Sequence, residues 1–232
     1  MIPKYVLAFA LVAALLACEQ PSRNPPERSS APIPEADRPS VVFLGTSLTA
    51  GLGLEPEQAY PALIQQKIDS AGLGYRVVNA GVSGETSAGA RRRVEWLLRE
   101  PVAVLVVETG ANDGLRGLSP DSLRANIQAV FDRARAVVPP PKLVLVGMRL
   151  PPNYGRTYTQ AFQAVFPDLA RKNDAALVPF LLEGIGGVAG LNQADGIHPT
   201  AEGQRVMAET VWRVLGPALR EKRERELQRR ER

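Results

Sequence analysis

Short apolar runs alternate with segments of helical period from Ser40 to Leu219, and this alternation limits the possible fold more than any other feature of the chain. Val41 to Leu44 reads as a short buried strand. Tyr60, Leu63, Ile64, Ile68 and Ala71 then recur on one helical face, which Gly72 and Gly74 bring to an end. Tyr75 to Asn79 reads as a second strand, and Ala90, Val94, Leu97 and Leu98 form the next helical stripe. Ala103 to Val107 is apolar throughout, as a strand buried on both faces must be. Ser119 followed by Pro120 signals a helix cap and first position, and Leu123, Ile127, Val130, Phe131 and Ala134 give that helix its apolar face. Leu143 to Val146 is a fourth strand. Tyr158, Phe162, Val165, Phe166 and Leu169 mark another helix, Ala176 to Val178 a fifth strand, and Met207, Val211, Val214 and Leu215 a closing helix. Strict βα alternation without an internal repeat predicts an α/β fold, a parallel sheet covered by helices on both faces.

The ends of the 232-residue chain do not share this pattern. Residues 1–17 hold Lys4, an apolar run from Val6 to Ala17 that is too short to span a bilayer, and small residues before Cys18. They read as a signal peptide. Residues 18–39 carry Pro21, Pro25, Pro26, Pro32, Pro34 and Pro39 among polar neighbours, a composition that builds no core and suits an extended tether. Residues 40–219 form the domain. Residues 220–232 hold seven basic and four acidic side chains, so most of the formal net charge of +4 sits there and the domain is nearly neutral. This tail reads as a solvated helix laced with i,i+4 pairs or as a disordered segment. Neither reading points to nucleic acid.

In an open parallel sheet, ligands collect beyond the carboxyl ends of the strands, so polar residues there carry the functional information. Ser47 follows the first strand, NAGVSGET (Asn79 to Thr86) the second, ETGAND (Glu108 to Asp113) the third, and DGIHP (Asp195 to Pro199) the fifth. Taken alone, Ser47 reads as a turn serine or helix cap, and Asp195 with His198 as a capping aspartate beside a surface histidine. Taken together, they supply the three groups of a nucleophilic triad. His198 is the sole histidine, Asp195 precedes it by three residues with Gly196 between, and Pro199 disfavours helical geometry at His198. The N–H groups of Ser47 and Gly84 and the Asn112 amide are candidate donors to a developing oxyanion, though Gly84 also reads as a turn glycine and Asn112 as a loop cap.

In order, GTSL (Gly45 to Leu48), SGET (Ser83 to Thr86), GAND (Gly110 to Asp113) and DGIHP resemble the four signature blocks of the SGNH or GDSL hydrolases. RLPPNYGRTY (Arg149 to Tyr158) and GANDGLRG (Gly110 to Gly117) resemble its bacterial thioesterase, lysophospholipase and arylesterase group. The resemblance implies a three-layer α/β/α, flavodoxin-like sandwich with a five-stranded parallel sheet of order 2-1-3-4-5. It also implies Ser47 as nucleophile, Asp195 and His198 as its triad partners, and Ser47, Gly84 and Asn112 as the oxyanion hole. Thr46 stands where the family usually has aspartate, which implies changed support for the serine loop rather than lost chemistry. LLAC (Leu15 to Cys18) resembles the lipobox of bacterial lipoproteins, implying acylation of Cys18; an ordinary secretory signal is the alternative. By resemblance to sorted lipoproteins, Glu19 after the cysteine implies the outer membrane where the host has one, with the domain facing the periplasm or cell exterior.

Other chemistries find little support. One histidine and one cysteine make no His/Cys zinc site, no DxDxDG loop suggests calcium, and no GxGxxG opens a helix after a strand. The expected protein is a monomeric, membrane-tethered serine esterase without cofactor or metal, acting on carboxylic esters of short or medium acyl chains, with thioesters and lysophospholipids in range. A cell-envelope carbohydrate O-deacetylase and a catalytically silent binding lipoprotein are the alternatives.

Overall fold

The computed structural model describes residues 37–230. The leader, Cys18 and the tether up to residue 36 lie outside the described residues. Five strands, β1 (Ser40–Gly45), β2 (Arg76–Gly81), β3 (Val102–Glu108), β4 (Lys142–Val146) and β5 (Ala176–Val178), form one sheet of order β2-β1-β3-β4-β5. Every pairing is parallel. Leu44 lies level with Ala80 on one side and Val107 on the other, and Glu108 with Val146, so the carboxyl ends of four strands share one edge. β1 and β3 are buried along their whole length, which explains their continuous apolar runs.

The helices are α1 (Ser47–Ala50), α2 (Tyr60–Ser70), α3 (Ser87–Leu97), α4 (Ala111–Leu115), α5 (Pro120–Ala136), α6 (Arg156–Lys172) and α7 (Ala201–Arg230). α2 and α7 pack together over one face of the sheet, and α3, α5 and α6 pack side by side over the other. In α5 the Ser119 side chain accepts from the Asp121 N–H at 3.2 Å, Pro120 needs no partner for the proton it lacks, and Leu123, Ile127, Val130, Phe131 and Ala134 are buried. Phe43 meets Tyr60 edge to face at 5.5 Å, fastening α2 to β1 at the level of the serine loop.

α7 does not stop at Leu219. It runs through Pro217, which lies on an exposed side where the missing N–H and the ring meet solvent rather than core. Beyond it, Glu221 pairs with Lys142 at the start of β4, and Arg223 donates to the Gly72 carbonyl after α2. Glu221 with Arg225 and Lys222 with Glu226 are i,i+4 pairs, so the charged stretch up to residue 230 forms the last turns of this helix. Among the described residues no helix is long and apolar enough to cross a membrane.

Candidate active site

β1 ends at Gly45, and the chain turns at once into the single helical turn α1, whose first residue is Ser47. The turn is tight because two glycines allow it. A Cβ on Gly45 would lie 1.9 Å from Thr49 Oγ1, and one on Gly81 2.3 Å from the Ala50 nitrogen. Ser47 is therefore held at the sheet edge with only 9% of its surface exposed.

His198 reaches it from the loop between β5 and α7. Its Nε2 lies 2.9 Å from Ser47 Oγ, and its Nδ1 lies 2.6 Å from Asp195 Oδ2. Asp195 Oδ1 also accepts from the N–H groups of Ile197 (2.9 Å) and His198 (3.0 Å), so one carboxylate fixes both the ring and the backbone that carries it. Gly196 turns between them at φ +69°, a left-handed conformation that strains any side chain. The loop is tied to the serine loop as well. Gln193 donates to the Leu52 carbonyl at 2.8 Å and to the Pro199 carbonyl at 3.0 Å, and its own N–H reaches the His198 carbonyl at 2.7 Å. The neighbouring glycine-rich stretch is fastened too: Asn192 donates to the Ile185 and Val188 carbonyls, and Thr200 to that of Gly190.

The hydrogen bond from the His198 ring, then those from the backbone of His198 and Ile197, hold the Asp195 carboxyl well below the usual aspartate range. A depressed carboxyl stabilises the fold above its unfolded pKa, and that contribution fades as pH falls through the folded value. The Asp195 side chain is 46% exposed, so the contribution is screened and small. Thermal melts of the wild type and Asp195→Asn should therefore differ most near neutrality and converge in acid. A gap that widens in acid would contradict this assignment.

Gly84 sits in the turn after β2 at φ +78°. Its loop is clamped by Arg93, which holds Glu85 through two nitrogens at 2.7–2.9 Å and donates to the Gly45 carbonyl at 3.1 Å. Asn112, on α4, donates through Nδ2 to the Glu85 carbonyl at 3.0 Å, which binds it to the Gly84 loop and leaves the second proton of the amide for another acceptor. Asp113 fixes α4 from behind by accepting from the Ser87 N–H at 2.8 Å and from the Ser87 hydroxyl at 2.5 Å.

One buried group beside Ser47 had no role in the sequence analysis. Glu108, the last residue of β3, is 1% exposed and accepts from the Thr46 N–H (2.7 Å), the Thr46 hydroxyl (2.9 Å) and the Thr49 hydroxyl (2.8 Å). Burial pushes its carboxyl above the usual glutamate value, against the pull of these donors. The available signal was a lone acid closing an otherwise apolar strand. Among the described residues no group of three or more His, Cys, Asp or Glu side chains lies together as a metal site would need.

A model of the GDSL-like lipase/acylhydrolase family matches residues 43–206, a span that holds Ser47, Gly84, Asn112, Asp195 and His198. The chain belongs to that family. GDSL-like relatives include the esterase TesA of Pseudomonas aeruginosa, 45% identical over 186 residues, covering 80% of this chain and 92% of TesA. The thioesterase 1/protease 1/lysophospholipase L1 of Escherichia coli is 38% identical over 180 residues, covering 77% and 84% of the two chains. A crystal structure of TesA superposes with a TM-score of 0.73 at 45% identity, over 77% of this chain and 98% of that one. The overall fold is thus shared with TesA.

Proposed function

We propose that the protein is a membrane-tethered, monomeric serine esterase that hydrolyses carboxylic esters of short or medium acyl chains, with thioesters and lysophospholipids within its range. The observation that carries this reading is the continuous line Ser47 Oγ to His198 Nε2 (2.9 Å) and His198 Nδ1 to Asp195 Oδ2 (2.6 Å). His198 takes the hydroxyl proton as Ser47 Oγ attacks the carbonyl carbon. Asp195 keeps Nδ1 protonated and stabilises the imidazolium. The N–H groups of Ser47 and Gly84 and the Asn112 amide receive the charge on the tetrahedral oxygen. His198 then gives its proton to the leaving alkoxide or thiolate, and water, activated by the same imidazole, releases the acid from the acyl-enzyme.

The substrate class is supported by apolar surface on the same edge. Leu52, Val82, Leu115, Leu118, Val188 and Ile197 are exposed, and they lie on the segments that follow β1, β2, β3 and β5, Leu115 at the end of α4. Each buried methylene of an acyl chain contributes about 0.8 kcal/mol, so apolar side chains there favour acyl over purely polar substrates. The names of the relatives, esterase, thioesterase and lysophospholipase, agree in requiring acyl transfer to water. A series of p-nitrophenyl esters from acetate to long chains, run beside an acyl thioester and an acetylated glycan, tests the reading. Acyl esters should turn over with kcat/KM rising beyond acetate. Turnover of the acetylated glycan alone would replace the proposal with O-deacetylation.

The anchor rests on sequence. Acylation at Cys18 with more than one chain gives stable attachment, and residues 19–39 would then hold the domain near the periplasmic or outer surface. Cys18→Ser is expected to move the protein from the membrane to the soluble fraction. Full retention on membranes would remove the lipid anchor from the proposal.

A further inference from the structure

Glu108 is fully buried, lies 2.7–2.9 Å from three donors, and takes no part in the proton transfers proposed above. Those donors belong to Thr46 and Thr49, which stand on either side of Ser47 in the tight turn after β1. We infer that Glu108 is a positioning residue for Ser47: its carboxylate grips the turn on both sides of the serine and so fixes where Ser47 Oγ and the Ser47 N–H point. The inference rests on the reading of Ser47 as nucleophile.

The hydrogen-bond directions support it. Thr49 has one hydroxyl proton, and it goes to Glu108 Oε2 at 2.8 Å. Tyr60 must then donate its own proton to Thr49 Oγ1, 2.8 Å away, giving a one-way chain Tyr60 to Thr49 to Glu108. Thr46 adds its N–H and its hydroxyl. All three of these short bonds end on Oε2, and Oε1 accepts from the Thr46 hydroxyl at 3.1 Å; an amide at 108 would set an NH2 group, which only donates, in one of these two places. Thr46 also makes sense here. An aspartate at this place would set a second carboxylate against Glu108, while the threonine hydroxyl donates to it. The space is committed as well, because the Thr49 side chain fills the volume that a Cβ on Gly45 would need.

Four variants test the inference: Glu108→Gln, Thr49→Val, Thr49→Ser and, as a control on the underlying reading, Ser47→Ala. Thr49→Val keeps the shape and removes the hydroxyl; Thr49→Ser keeps the hydroxyl and removes a methyl. Misplacing a reacting atom by about 1 Å costs on the order of 10²-fold, so Glu108→Gln and Thr49→Val should lower kcat by roughly 10- to 100-fold while KM changes about two-fold or less. Thr49→Ser should restore kcat to within about two-fold. The rate of serine phosphonylation by a p-nitrophenyl phosphonate should fall in step with kcat while every molecule remains titratable. Lower melting temperature with unchanged kcat in the variants would make Glu108 merely structural and overturn the inference. Failure of Thr49→Ser to rescue would overturn it too, and the Thr49 pair decides the matter if Glu108→Gln does not fold. Turnover surviving in Ser47→Ala would instead sink the nucleophile reading beneath it.

Discussion

Ser47→Ala and His198→Ala are each expected to lower kcat by roughly 10⁴- to 10⁶-fold, and the double variant to be hardly worse than either. The reason is that the proposed nucleophile and base act as one unit. Without the hydroxyl the imidazole has no proton to accept. Without the imidazole the hydroxyl, 2.9 Å from where Nε2 had been, stays a weak nucleophile. Asp195→Ala should be milder than these two by about ten-fold or more, because the carboxylate orients and stabilises the ring without exchanging a proton with substrate. Rates for the two single variants and their double decide the point. Independent, multiplicative losses would mean that Ser47 and His198 do not share a step.

Asn112→Ala should cost roughly 10²- to 10³-fold in kcat with a much smaller change in KM, since the charge it is proposed to meet exists mainly in the transition state. The fold should survive, because α4 keeps its anchor through Asp113 and Ser87. The bond from Asn112 to the Glu85 carbonyl is lost as well, so the Gly84 loop loses one of its ties while those from Arg93 to Glu85 and from Arg116 to the Gly84 carbonyl remain. Steady-state kinetics on one ester, with a thermal melt beside it, separates the outcomes. Near-normal kcat would reduce Asn112 to a residue that fastens a loop.

The sheet was legible in the sequence because burial on both faces leaves no freedom of composition. Val104 to Val107 must be apolar, and they are. Strand ends were less legible. β2 begins one residue after Tyr75 and extends to Gly81, since an edge strand half-covered by α2 carries no continuous apolar signal. The one-turn helices α1 and α4, which present Ser47 and Asn112, were not legible at all, because four or five residues are too few to show a helical period. Past Leu219 the i,i+4 charge pattern made a helix one of two readings, and the structure has the helix. Its long-range ties, Glu221 to Lys142 and Arg223 to the Gly72 carbonyl, were not legible, because pairing between distant residues leaves no local pattern. The same holds for Glu108, whose three donors come from 59 and 62 residues away. The site residues Ser47, Gly84, Asn112, Asp195 and His198 were named from short motifs, and only the folded chain shows that Gln193 and Arg93 bind their loops to the serine turn.

Covalent trapping tests the central claim most directly. A p-nitrophenyl alkylphosphonate should react once per chain, with Ser47 Oγ attacking phosphorus and p-nitrophenolate leaving. Peptide mass analysis should then find the alkylphosphonyl group on Ser47 alone, with ester turnover lost in proportion to labelling and no label in Ser47→Ala. Stoichiometric inactivation with the label on any other residue, or full turnover by a chain labelled at Ser47, would contradict the proposal that this serine carries the acyl group.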